Sequence, residues 1–329
     1  MNKIYLYLFS LLVFLIFPMK AQEVNDFFDP MDVFELEWAS DPQVSPDSKT
    51  IVYVRKSHDI MKDKVRSNIW QIKIDGEDHR PLYSELGNSY SPRWSPNQER
   101  LAFLSNNSGS TQIHMYWFKS GETRAITQLQ ESPSSLSWSP DGKWIAFTMN
   151  VKAKSNAIVK SREKPEGATW AKEPITVTTT RYQYDGRGIV EPSYRHIFVV
   201  PAEGGSARQL TTGNFNHYGP LSWSADSESI FFSAHRSDDW ELSSDEADIF
   251  RVYVADKKLS QITNQSGEES SPIVSPNGKL IAFNLRERRP LAYTPNRIAV
   301  MDLEDKNMRV ISGDLDGDAE NIVWAEDNQ

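Results

Sequence analysis

A fourteen-residue pattern recurs along this chain, and it narrows the possible folds more than any other feature. It reads DPQVSPDSKTIVYV from Asp41, SPRWSPNQERLAFL from Ser91, SLSWSPDGKWIAFT from Ser135, PLSWSADSESIFFS from Pro220 and SPIVSPNGKLIAFN from Ser271; IVWAEDNQ opens a last copy at Ile322. The aligned serines Ser45, Ser95, Ser139, Ser224 and Ser275, with Ala325 last, are spaced by 50, 44, 85, 51 and 50 residues.

Each copy has the same internal logic. A short strand ends just before the serine, and a turn follows. Proline fixes φ, the Asp or Asn two places after the serine caps the turn, and Gly or Ser takes its far side. The turn pairs are Ser45 and Asp47, Ser95 and Asn97, Ser139 and Asp141, Ser224 and Asp226, and Ser275 and Asn277. An alternating apolar strand comes next, as in Trp144-Ile145-Ala146-Phe147. A third strand (Asn68–Ile72, Gln112–Tyr116, His196–Val200, Asp248–Val252, Asn296–Val300) and a fourth, near Arg80, Arg124, Arg208, Ser260 and Arg309, complete the unit. Four short strands per repeat predict an all-β β-propeller, of five blades plus the start of a sixth. A single blade cannot bury both faces, so Trp94, Trp138, Trp223, Phe103, Phe147 and Phe283 are expected between blades.

The chain opens with a basic start and an apolar run, Ile4 to Pro18, followed by Ala21. That is the form of a secretory signal, too short for a stable membrane span, and it predicts a secreted or periplasmic protein. The expected segments are a signal peptide over 1–21, a lead-in containing a short helical turn over 22–40 and the propeller over 41–329. No cysteine is present, so packing and not disulfides must hold the fold. Net charge is −9, or −11 without Lys3 and Lys20, and no Lys/Arg cluster stands out, which argues against nucleic acid as a partner.

The wide spacing between Ser139 and Ser224 holds an insertion, 150–195, in the third blade. Its first part is basic, its stretch Pro174–Tyr184 alternates like an added strand, and Asp185-Gly186-Arg187-Gly188 reads as a turn. Long loops are where a rigid scaffold carries function. No Gly-x-Ser-x-Gly elbow, His-Glu-x-x-His motif or phosphate loop occurs, and no two histidines lie within four residues of each other. Neither a catalytic residue, a metal site nor a cofactor is expected. Asp314-Leu315-Asp316-Gly317-Asp318 alternates like part of a calcium loop, but its glycine falls at the fourth place, and it is read as a plain loop between blades.

The WSPDGKxIAF-type repeat resembles the propellers of two groups: Tol-system periplasmic proteins, and the N-terminal domain of the prolyl oligopeptidase clan of serine peptidases. The opening Ser40 to Asp47, the stretch Arg181 to Gly188 running into Arg195 to Val200, and the ending Gly313 to Trp324 resemble bacterial acylaminoacyl-peptidase and dipeptidyl-peptidase members. The resemblance implies an α/β-hydrolase domain after the propeller, absent from this chain, so no family catalytic residue transfers to a position here. It implies a propeller that gates peptide access and docks the hydrolase, with Arg181, Tyr184, Asp185 and Arg187 as the candidate gating or docking residues. The alternative is a propeller that stands alone and binds a protein partner. Glu268-Glu269 is read as part of a turn between blades.

Overall fold

In the computed structural model, residues 27–153, 162–171, 176–177, 179–243, 246–289, 291 and 293–325 are described. The expected signal segment 1–21 lies outside them. The described residues fall into two compact units, one holding 27–37 and 57–65 and the other 38–56 and the described residues from 66 onward.

In the smaller unit a short 3-10 helix, Pro30–Glu35, starts at an Asp29 cap. The Asp29 carboxylate accepts from the Met31 amide at 2.8 Å, and Asp32 reaches back to the Asp29 amide at 2.8 Å. This reciprocal pair satisfies amides that a helix start leaves open. Phe34 meets the ring of His58 edge-on at 6.2 Å.

Five four-stranded antiparallel sheets follow one another in chain order. Blade one is β1 (Glu37–Val44), β2 (Thr50–Asp59), β3 (Lys64–Lys73) and β4 (Arg80–Tyr83). Blade two is β5 (Ser89–Trp94), β6 (Arg100–Ser105), β7 (Gln112–Trp117) and β8 (Thr123–Ala125). Blade three is β9 (Pro133–Trp138), β10 (Trp144–Lys152), β13 (Ser193–Pro201) and β14 (Arg208–Gln209), with the hairpin β11 (Gln183–Tyr184) and β12 (Gly188–Ile189) between its second and third strands. Blade four is β15 (His217–Trp223), β16 (Ser229–Ala234), β17 (Asp248–Tyr253) and β18 (Leu259–Gln261). Blade five is β19 (Gly267–Val274), β20 (Leu280–Glu287), β21 (Arg297–Asp302) and β22 (Met308–Val310). The first strand starts at Glu37, ahead of the expected Asp41 boundary.

The repeat turn is built alike in every copy. The serine hydroxyl donates to the Asp or Asn two residues on, at 2.6 Å in Ser45, 2.8 Å in Ser95, 2.6 Å in Ser139, 2.5 Å in Ser224 and 2.8 Å in Ser275. The same oxygen accepts the amide five residues on, for example Trp144 at 2.9 Å and Leu280 at 2.9 Å. A left-handed residue follows three places after the serine: Ser48, Gln98, Gly142, Ser227 or Gly278. Four residues before the serine the first strand bulges. Asp41, Ser91, Ser135 and Ser271 have φ near +50°, and the ladder shifts register at the last three. In blade four Pro220 occupies this place and cannot take positive φ; a cis Gly219–Pro220 bond is found there instead.

The apolar core is divided among the seams between blades. Val52 and Ile69 of blade one pack with Leu101 and Phe103 of blade two, and Leu104 and Ile113 of blade two with Phe147 of blade three. Ile197 and Val199 of blade three pack with Phe232 of blade four, and Phe231 of blade four with Phe283 of blade five. Tryptophans bind the seams with a polar bond as well. Trp94 donates its indole N–H to the Gln43 carbonyl at 3.1 Å, Trp138 to Arg93 at 3.0 Å and Trp223 to Ser137 at 3.2 Å, each acceptor lying two residues before its own blade's serine. Trp324 repeats the bond onto Ile273 at 2.8 Å, and Asn321 repeats the left-handed bulge, so the chain enters a sixth blade in register. Residues 321–325 form no strand ladder, in contrast to the expected first strand, because no second strand follows among the described residues to pair with them.

Candidate functional site

The blades place unlike connections on opposite faces. The turns from first to second strand, at Ser95, Ser139, Ser224 and Ser275, are tight. The connections from second to third strand are long in blades three, four and five: 153–192, 235–247 and 288–296. Because strands alternate in direction, these long loops share one face of the larger unit with the starts of the first strands.

The insertion is closed at its base by the Ala153 amide to the Pro192 carbonyl at 2.9 Å and by Lys152 with Glu191 at 3.0 Å. The hairpin β11–β12 turns at Asp185-Gly186-Arg187, where Gly186 has φ +72°. The extra strand expected over Pro174–Tyr184 is present only as Gln183–Tyr184 among the described residues, because its sole pairing partner is the two-residue β12. Thr180 anchors the insertion to blade four. Its amide and hydroxyl donate to the Glu241 carboxylate at 3.1 and 3.3 Å, and its hydroxyl also lies 3.2 Å from the Glu241 carbonyl.

Arg181, Tyr184, Asp185 and Arg187 are all exposed. Two of them approach the blades. Burial pushes the Tyr218 phenol up, and Arg195, Arg181, Tyr184 and Glu268 all act on it electrostatically. Arg195 also lies over the Tyr218 ring at 5.5 Å. Asp185 and Arg187 stay at the hairpin tip. The candidate site is therefore the Tyr218 surface, where Arg195 of blade three, the start of β15 in blade four, the start of β19 in blade five and the insertion meet. Glu268 pairs with Arg286 there. Tyr218 falls in no motif and Arg195 only opens a stretch of family resemblance, so neither is among the sequence-based candidates and only the fold joins them. Glu268 and Glu269 stand in β19 and not in a turn, because the first strand of blade five starts at Gly267, well ahead of the repeat's usual opening.

Behind this surface lies a histidine pair. His217 Nδ1–H donates to the Arg195 carbonyl at 2.8 Å, which leaves Nε2 to accept from Arg236 at 2.7 Å. A second proton on Nε2 would face the guanidinium. Burial first and Arg236 next hold the His196 imidazole at about 4; burial chiefly, with Arg236 and His196, holds His217 at about 3.

A serine–histidine contact occurs nearby and is wired in the wrong order for a nucleophile. Ser237 Oγ lies 2.6 Å from His235 Nε2 and 2.7 Å from Asp239 Oδ1. The carboxylate contacts the serine and not the far imidazole nitrogen, so the single hydroxyl proton has Asp239 as its acceptor. Among the described residues no group of three His, Cys, Asp or Glu side chains is arranged to hold a metal. The Asp314–Asp318 loop is filled from within: Arg297 donates to the carbonyls of Leu315 and Gly317, and Asp318 accepts the Asn296 amide.

The repeat geometry agrees with the comparison to known families. The TolB beta propeller domain family, PD40, matches residues 34–179 and 137–325. The chain belongs to this family. Dipeptidyl-peptidase 5 of Porphyromonas gingivalis is 23% identical over 330 residues, covering 95% of this chain and 46% of that protein. The uncharacterized peptidase YuxL of Bacillus subtilis is 30% identical over 205 residues, covering 62% of this chain and 30% of that protein. A solved acylaminoacyl peptidase, in complex with Z-Gly-Gly-Phe-chloromethyl ketone, superposes with a TM-score of 0.67 at 14% identity, over 89% of this chain and 42% of that one. That likeness is one of fold. The chain spans less than half the length of each of these relatives, and it is related in sequence to part of two peptidases.

Proposed function

We propose that this chain is the non-catalytic propeller domain of a secreted serine oligopeptidase or exopeptidase, which gates peptide access and docks a hydrolase domain outside the chain. The observation that carries the reading is the alignment of 95% of the chain with 46% of a dipeptidyl-peptidase. The loop face supports a gating role, since the insertion is anchored to blade four at Thr180 and acts electrostatically on Tyr218 at the start of β15, while the opposite face offers tight turns. The reading includes a leader over 1–21 removed after Ala21 and a lead-in ahead of the propeller, whose first strand opens at Glu37.

Peptide assays test this directly. The purified chain should release nothing from peptide substrates, and a longer parent carrying it should cleave short N-terminal units. In that parent Arg181→Ala with Tyr184→Ala should change KM for peptides with little change in kcat. Hydrolysis by the purified chain, or unchanged kinetics in the double variant, would count against the reading. The family name supports a second reading, a propeller that binds a protein partner by itself. It predicts peptidase-free activity in cells and a partner recovered on this chain.

A further inference from the structure

Glu269 is fully buried, the only acidic side chain so enclosed among the described residues. It lies near the start of β19, where blade five meets blade four. Its amide donates to the Ala247 carbonyl at 2.7 Å, and the Ala247 amide donates to the Gly267 carbonyl at 3.2 Å. The backbones are tight here: a Cβ on Gly267 would fall 2.2 Å from the Arg286 carbonyl oxygen. Neither carboxyl oxygen of Glu269 makes a hydrogen bond of ordinary geometry; the Thr263 hydroxyl and the Gln265 amide favour its charged form, and burial outweighs them.

Among the described residues no ion pair reaches Glu269. Blade four presents Thr263 and Asp248, whose Oδ2 accepts from the Gln261 side-chain amide at 2.9 Å, while His235 and Glu246 act in turn on Asp248. The nearby arginines are engaged: Arg286 with Glu268, Arg288 with Glu246 and Arg289 with Glu287. A buried carboxylate without a counter-ion costs several kcal/mol, and a second carboxylate beside it adds repulsion. A proton on Glu269 removes both costs and gives Asp248 a donor.

We propose that Glu269 and Asp248 share one proton and form a pH-sensitive clasp between blades four and five, closed while the proton is held and opened by its loss. The electrostatics agree: burial first, with Asp248 adding, pushes Glu269 up to about 7, and burial also raises Asp248. A raised carboxyl favours the closed seam at low pH, and that advantage is lost as pH climbs from the ordinary Glu value of 4.5 through about 7. The opening equilibrium should shift by on the order of a hundred-fold across that window.

Hydrogen exchange on the whole chain tests the clasp. After correction for intrinsic rates, amides 267–270 should lose about a hundred-fold of their protection between pH 5 and pH 8. In Glu269→Gln they should hold the same protection at both. Equal protection at both pH values in the wild-type chain, or a parallel loss in the variant, would overturn the proposal. Carboxyl carbon-13 NMR of the wild-type chain gives an answer even if the variant fails to fold. A Glu269 midpoint well above 4.5 supports the clasp, and a midpoint at 4.5 overturns it. Calcium that restores protection at pH 8 would also overturn it, by showing a cation site in place of a shared proton.

Discussion

The seams on either side of blade four share one backbone frame and fill it with opposite chemistry. In both, a threonine hydroxyl accepts the amide of the third strand's first isoleucine: Thr211 for Ile197 at 3.0 Å and Thr263 for Ile249 at 2.8 Å. The residue just before that isoleucine is His196 in one seam and Asp248 in the other. Opposite them, near the start of the next blade, stand His217 and Glu269. The first seam keeps bases neutral beside an arginine; the second places two acids together. The latch differs too, since Trp223 reaches Ser137 across the first seam whereas the Val274 amide donates to the Ser222 hydroxyl at 2.9 Å across the second. A repeat fold thus specifies where a polar group sits between blades and leaves open which proton it carries.

Four experiments break or sharpen this contrast. The largest effect is expected from the apolar filling that both seams need. Phe232→Ala and Phe283→Ala remove fully buried rings and should each cost about 3–5 kcal/mol in urea unfolding, by amounts that do not depend on pH between 5 and 8. Acid should come next. His196 and His217 are held well below 6.5, so the unfolded chain binds protons that the folded chain refuses. The histidine contribution should be intact above 6.5 and fall as pH drops toward 4, by on the order of 3 kcal/mol, with His217→Gln flattening that limb. The acid pair acts in the opposite sense between 4.5 and 7, so Glu269→Gln should steepen the rise of stability with pH that His217→Gln flattens, and two variants that change the pH profile in the same direction would break the comparison.

The latches are worth less. Trp223→Phe keeps a ring but leaves the Ser137 carbonyl without its indole donor and should cost about 1 kcal/mol, with Ser222→Ala at the other seam costing no more. The smallest effect belongs to the insertion. Arg181→Ala with Tyr184→Ala should move the unfolding midpoint by less than about 0.5 kcal/mol, because both side chains are exposed. A larger loss would mean that the hairpin is part of the scaffold.

The blades were legible in the sequence because turn chemistry is local. A serine, a proline and an Asp or Asn at fixed spacing impose the same hydrogen bonds wherever they occur. The seams were partly legible: Phe103, Phe147 and Phe283 are fully buried between blades, as their alternation predicts. The Tyr218 surface was not legible, since Arg181, Arg195, Tyr218 and Glu268 are joined only by the stacking of blades. Glu268-Glu269 stands out in the sequence as an acidic pair, yet its local pattern is that of a turn. Two adjacent glutamates in a strand point to opposite faces, and only the position of blade four decides that one is solvated and the other enclosed.

The central claim, that this propeller works as the accessory part of a peptidase, is tested most directly by the size of the native protein. Immunoblotting the producing cells with an antibody to this chain should show a band near twice 37.6 kDa, as expected if the chain is about half of a protein like its dipeptidyl-peptidase relative. A single band slightly below 37.6 kDa would contradict the claim and leave a propeller that acts by binding alone.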